Sequence, residues 1–184
     1  MAYRNGTYVA FHADGNNTPG KTDIDYYYLL RAWSENPDDD FTMVNSHEKV
    51  AAVRDSSSKE TLRRSLHARL TNSKNLILII GETTKNDKDW VPFEIEQAVD
   101  KYEIPIIAAY AVWDKPIRSP RALAAYWPAA MENRINNNTA HIIHIPFRKA
   151  AIMDAIRFSH SNLPAGQGLS IYDDNAYRAF GISD

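Results

Sequence analysis

Leu76-Ile77-Leu78-Ile79-Ile80 and Ile106-Ile107-Ala108-Ala109-Tyr110-Ala111-Val112, with the helical pattern between them, decide the fold. Both runs are apolar at successive rather than alternate positions, as expected of strands covered on both faces by helices in a parallel sheet. Between them Ile95, Ala98, Val99 and Tyr102 recur at i, i+3, i+4, i+7, so residues 91–103 read as a helix with one face on the sheet. Strand, helix, strand is the crossover unit that parallel pairing requires. Outward from this unit, residues 7–11, 41–44 and 141–145 read as further strands, and residues 23–35, 58–72, 118–133 and 148–160 as further helices. The helix near 58 opens on Ser57-Ser58-Lys59-Glu60, a capping-box pattern, and Leu62, Leu66 and Leu70 mark its buried stripe. Pro116, Pro120 and Pro128 make the helix within 118–133 short or broken. The alternation predicts an α/β fold: a flavodoxin-like open parallel five-stranded sheet with helices on both faces.

The chain has 184 residues, no cysteine and a formal charge of -2. That length suits one domain of ordinary size, ~100–200 residues. Thiolate metal sites, disulfide scaffolds and a cysteine nucleophile are excluded. With 21 basic and 23 acidic residues there is no overall surplus to draw the chain onto nucleic acid or anionic lipid, and no apolar run approaches a membrane span. A soluble, cytoplasmic protein is expected, with neither membrane nor nucleic acid as a partner. Residues 1–163 read as one domain. Residues 164–184 are expected to pack on it through Ile171, Tyr172, Tyr177 and Phe180, groups that would serve equally to dock on a partner.

Open sheets of this kind bind ligands at the carboxyl ends of their strands. Those ends read His12-Ala13-Asp14-Gly15, Asn45-Ser46-His47-Glu48, Gly81-Glu82-Thr83-Thr84 and Trp113-Asp114. Gly15 to Thr22 also satisfies the phosphate-loop pattern G-x-x-x-x-G-K-T. Against a nucleotide triphosphatase, Pro19 lacks an amide where phosphate needs one, and Asp23 and Asp25 add negative charge where a polyphosphate would lie. Lys88-Asp89-Trp90-Val91-Pro92-Phe93-Glu94 is more telling. At ~100° per residue Glu94 lies ~90° from the centre of the buried stripe, with Trp90 on the same side, which predicts an acid and an indole together at the rim of the core. Such a pair offers a carboxylate for developing positive charge and an aromatic plane for a flat ring. Without a ligand, the same residues read as an acid opposing the helix dipole and a hydrophobic staple. His141 and His144, three apart on a strand, point to opposite faces and make no metal pair; both read as strand-surface histidines.

The strand ending in Phe11-His12, the Ser46-His47 pair after the second strand, the five-fold alternation and above all Trp90-x-x-x-Glu94 resemble bacterial TIR-like domains of the Thoeris ThsB type, over roughly residues 5–160. The resemblance implies antiphage defence and cleavage of NAD at the nicotinamide–ribose bond, giving a cyclic ADP-ribose-type signal that reaches a separate effector protein. It implies Glu94 as the catalytic residue and Trp90 as the group that stacks on substrate to favour ring closure. Phe11, His12 and Asp14 would line the substrate cleft, and Ser46, His47, Lys49 and Arg54 would come from the loop bordering it, the two cations beside pyrophosphate. NAD is the substrate, and no cofactor or metal is called for. Self-association is implied, as is a need for activation. Three alternatives stand beside this enzyme: a non-catalytic interaction or sensor module, a phosphate-loop triphosphatase, and a nucleoside-processing transferase. The loop from Asp14 to Lys21 and the tail after 164 match no part of the family pattern.

Overall fold

The computed structural model describes residues 4–13, 23–44 and 59–184. Five strands, β1 (Gly6–Ala10), β2 (Met43–Val44), β3 (Ser73–Ile80), β4 (Ile106–Tyr110) and β5 (Ile142–Pro146), form one sheet in the order β2-β1-β3-β4-β5. Every pairing is parallel. This is the flavodoxin-like order, whose switch point, where strand order reverses, lies between β1 and β3. Among the described residues the α-helices are α1 (Asp23–Ser34), α2 (Lys59–Thr71), α3 (Trp90–Glu96), α4 (Ala129–Asn136), α5 (Lys149–Ala155) and α6 (Asp174–Ala179).

Strand parity divides the apolar residues into two cores. Tyr8, Ala10, Leu76, Leu78, Ile80, Ile106, Ala108 and Tyr110 face α2, α3 and α4, meeting Leu66, Leu70, Val91, Ile95, Met131 and Ile135. The intervening residues, among them Val9, Phe11, Ile77, Ile79 and Ile107, face α1 and α5 and meet Tyr27, Leu30, Ala151 and Ile152. The doubly apolar runs around Leu76 and Ile106 are therefore interior strands of a sheet covered on both sides.

Two local departures from the sequence reading, at the start of β3 and after α3, have physical causes, and the break expected within 118–133 is present. β3 begins at Ser73, three residues before its apolar run, because Asn75 is used inside the strand: its side-chain amide donates to Ile156 O and Phe158 O, both at 2.8 Å, closing the end of α5. The segment 118–133 splits into a 3-10 helix, Pro120–Tyr126, and α4, with Pro128 at the break. After α3 the chain widens into a π turn, Gln97–Lys101, and ends on Glu103 at φ 53°.

Residues beyond 163 wrap the open edge of β5. Ser170 donates to Ile142 O at 3.1 Å and accepts from His144 N at 2.9 Å, extending the ladder. Leu169 packs on the first core, while Tyr177 and Ile182 are buried in the second. Of the four apolar groups expected to dock this tail, Tyr177 is fully enclosed, Tyr172 and Phe180 are half-buried, and Ile171 is exposed. His144 corrects the surface reading. It is wholly buried, between Tyr110 and the tail. Trp127 Nε1 donates to the Tyr110 hydroxyl at 2.6 Å, that hydroxyl contacts His144 Nδ1 at 2.8 Å, and Nε2 contacts Gly168 O at 2.9 Å. Because a carbonyl only accepts, Nε2 carries the proton and Tyr110 donates to Nδ1, a chain satisfied by neutral imidazole. Burial pushes the His144 pKa down to about 4.

Candidate active site at the switch point

Two side chains on the first face of β1 organise the site. Tyr8, in mid-strand, is buried, and its hydroxyl donates to Glu94 Oε1 at 2.7 Å. Two residues past the strand and on the same face by parity, His12 places Nδ1 at 3.1 Å from Asp87 Oδ2. Asp87 follows the 3-10 turn Thr84–Asn86 that leaves β3. Its other oxygen, Oδ1, accepts from the amides of Asp89 at 2.9 Å and Trp90 at 2.8 Å. Asp89, the residue bordering α3, makes no side-chain cap of its own, so Asp87 satisfies amides at the start of this helix. One carboxylate thus ties the end of β1 to the helix that carries Trp90 and Glu94.

Glu94 is not at the rim of the core, where the sequence placed it. It is fully buried. The reason is the helix start: α3 begins at Trp90, so Val91, Glu94, Ile95 and Ala98 form the i, i+3, i+4, i+7 face, and Glu94 occupies a core position. Trp90 lies one turn earlier on the same side, half-buried against the first core. The Tyr8 hydroxyl uses one of the carboxylate's roughly four acceptor sites and fixes its orientation. Burial first, then the Glu94 charge and hydrogen bond, raise the Tyr8 pKa well above the ordinary tyrosine range. Tyr8 therefore remains a donor throughout the physiological pH range.

A third buried acid closes the switch point. Asp23, the first residue of α1, accepts from Thr84 Oγ1 at 2.7 Å, and Thr84 Oγ1 accepts from Gly81 N at 2.7 Å. Gly81 is needed for close approach, since a Cβ there would sit 1.8 Å from Asp23 Oδ1.

The expected site residues separate clearly. Glu94 is held by Tyr8 of β1, and Asp87 links His12, just past β1, to the start of the helix that carries Trp90 and Glu94. Phe11 is wholly buried on the opposite face, stacked on Tyr27 with ring centroids 4.8 Å apart, so it supports the strand end from beneath and presents no surface to a ligand. Asp14, Ser46, His47, Lys49 and Arg54 lie outside the described residues, as do the Gly15–Thr22 loop and Ser57. Asp114, after β4, is exposed and faces Arg148 at 3.7 Å. Sequence reading missed Tyr8, Asp87, Asp23 and Thr84. Strand parity from His12 back to Tyr8 was the available signal for the first, and an aspartate three residues before Trp90 for the second. Among the described residues no group of histidines and carboxylates is arranged to hold a metal ion, and no helix is long and apolar enough to cross a membrane.

A parallel sheet in this order, with a buried glutamate and a tryptophan one helical turn apart beside its switch point, defines a flavodoxin-like domain of the TIR-like class. Residues 8–115 match the family described as Thoeris protein ThsB, TIR-like domain, and the chain belongs to that family. It is accordingly a TIR-like module of an antiphage defence system. The matched span runs from the middle of β1 through β4 and stops before β5, short of the 160 expected from the resemblance.

Proposed function

We propose that this chain is an NAD-cleaving enzyme, an NAD glycohydrolase and ADP-ribosyl cyclase, whose product is a cyclic ADP-ribose-type signal read by a separate effector. The observation that carries this reading is the complete burial of Glu94 against the Tyr8 hydroxyl at the switch point. A buried carboxylate costs several kcal/mol unless partners hold it, so a site that keeps one is a candidate for chemistry. A helix-end acid that merely opposed the dipole would gain as much in water, which counts against the interaction-module reading.

The reaction asks little of the protein. Nicotinamide leaves neutral from a cationic ring, so the barrier is that of forming an oxocarbenium-like ribosyl centre and presenting the next nucleophile. Glu94, oriented by Tyr8, would stabilise that positive charge by its own charge and by accepting from ribose hydroxyls. Trp90 would hold a flat ring of the substrate over the same centre and favour closure on the substrate's own base over capture by water. Glu94 has no exposed surface, so substrate reaches it only when the residues covering it move. A requirement for an activator or for self-association follows naturally from that enclosure. NAD is the substrate in this reading, the effector meets only the diffusible product, and cytoplasmic placement follows from the substrate.

Incubating the protein with NAD, with and without extract of phage-infected cells, and resolving products by chromatography and mass tests the reading. Release of nicotinamide together with an ADP-ribose product is expected, and a Trp90→Ala variant should shift that product from cyclic to linear. Absence of turnover under every condition would instead favour a binding or sensing module.

A further inference from the structure

The Asp87 carboxylate has two jobs at once, and one of them reaches chemistry. Oδ1 closes the start of α3 through the amides of Asp89 and Trp90, while Oδ2 faces His12 Nδ1 at 3.1 Å. Both residues are largely shielded, with side-chain exposures of 16% for His12 and 7% for Asp87. An ionised carboxylate can only accept, so the contact requires a proton on His12 Nδ1 and leaves Nε2 with the lone pair in the neutral ring. The pair is thus a histidine whose tautomer is set by a buried aspartate, anchored to the helix that bears Glu94 and Trp90.

We propose that Asp87 is a positioning residue that holds His12 as the proton acceptor for the nucleophile in NAD cleavage. This rests on the NAD-cleaving reading above. In the hydrolytic branch, the C1′–N bond to nicotinamide breaks with its electron pair passing to the pyridinium nitrogen, which becomes neutral. The C1′–O bond to water forms, and the water proton passes to His12 Nε2 and then to solvent. Glu94 is held by Tyr8 for the developing cation, so the two roles fall to separate groups: charge stabilisation to the carboxylate on α3, proton removal to the imidazole at the end of β1. The carboxylate behind the imidazole stabilises it once protonated and keeps it in the productive tautomer.

Asp87→Asn separates the two jobs. Asparagine keeps a carbonyl oxygen for the Asp89 and Trp90 amides, but its amide group offers a donor to His12 and favours the Nε2–H tautomer instead. NMR chemical shifts of the ring nitrogens should show Nδ1–H in the wild type and Nε2–H in Asp87→Asn, with the thermal transition retained. Water-dependent release of linear ADP-ribose should fall about a hundredfold in Asp87→Asn, mainly in kcat, as for loss of a general base. In a His12→Gln background the same substitution should then have little further effect. A wild-type His12 protonated at Nε2, or hydrolysis unaffected by Asp87→Asn, would overturn the proposal. The tautomer measurement needs no turnover, so a protein that never cleaves NAD would defeat the functional reading while the state of the dyad is still read separately.

Discussion

Replacing Tyr8 by phenylalanine removes one oxygen and almost no volume, which makes it a clean probe of how Glu94 is held. The lost contact is a buried 2.7 Å hydrogen bond from a hydroxyl to a carboxylate. Hydrogen bonds to charged groups are worth about 1.5–3 kcal/mol. For a chain of this size each kcal/mol moves Tm by ~2–4 °C, so Tyr8→Phe should lower Tm by about 3–12 °C. Calorimetry or circular dichroism at neutral pH measures it. A second signature lies at alkaline pH. The Tyr8 pKa is raised in the fold, so above pH ~10 the unfolded chain gives up this proton while the folded chain keeps it, and stability falls as pH rises. Phenylalanine removes that contribution, so the alkaline decline should be shallower in the variant. A Tyr8→Phe protein within about 0.5 kcal/mol of wild type, declining equally steeply above pH ~10, would show that Glu94 is not held as described.

Three other outcomes follow from single contacts. Gly81→Ala forces a methyl group onto Oδ1 of Asp23, a carboxylate whose Oδ2 is held by Thr84, and should cost about 1–3 kcal/mol in urea unfolding; a neutral result would mean that the end of β3 and the start of α1 are not in contact. Burial of neutral His144 leaves the unfolded chain binding more protons between pH ~6.5 and the folded value of about 4. Stability should be fully present above that window and lost through it, by roughly 3 kcal/mol, at about 1.4 kcal/mol per pH unit, and less steeply in a His144→Gln variant. Glu103 holds φ 53°, so Glu103→Gly should be neutral or raise stability by up to about 1 kcal/mol, whereas Glu103→Val should lower it.

The sheet was legible because its two central strands are apolar on both faces, a pattern few other architectures produce, and the helices between them carry clear stripes. What escaped was polar and long-range. Asn75 lies just before the apolar run from which the strand is read, yet it is a strand residue whose amide serves a helix end far along the chain. His144 reads as exposed because nothing local shows that Tyr110, Trp127 and the residues near 168 close around it. For the site, Trp90 and Glu94 were visible as a motif, but the depth of Glu94 depended on where the helix starts. Beginning the stripe at Ile95 rather than Val91 turns a core position into a rim position. Tyr8 acquires its role only through a partner 86 residues away, and the contact of Asp87 with His12 spans 75 residues, although its bonds to the Asp89 and Trp90 amides are local.

The central claim is that a carboxylate held inside the sheet's switch point breaks the nicotinamide–ribose bond. Initial rates of nicotinamide release from NAD, measured for wild type and Glu94→Gln under the condition that activates the wild type, test it most directly. Glutamine keeps an acceptor for Tyr8 and the shape of the site, so the variant should remain folded, while release should fall at least ~100-fold for want of the negative charge. Equal release by the two proteins would contradict the account.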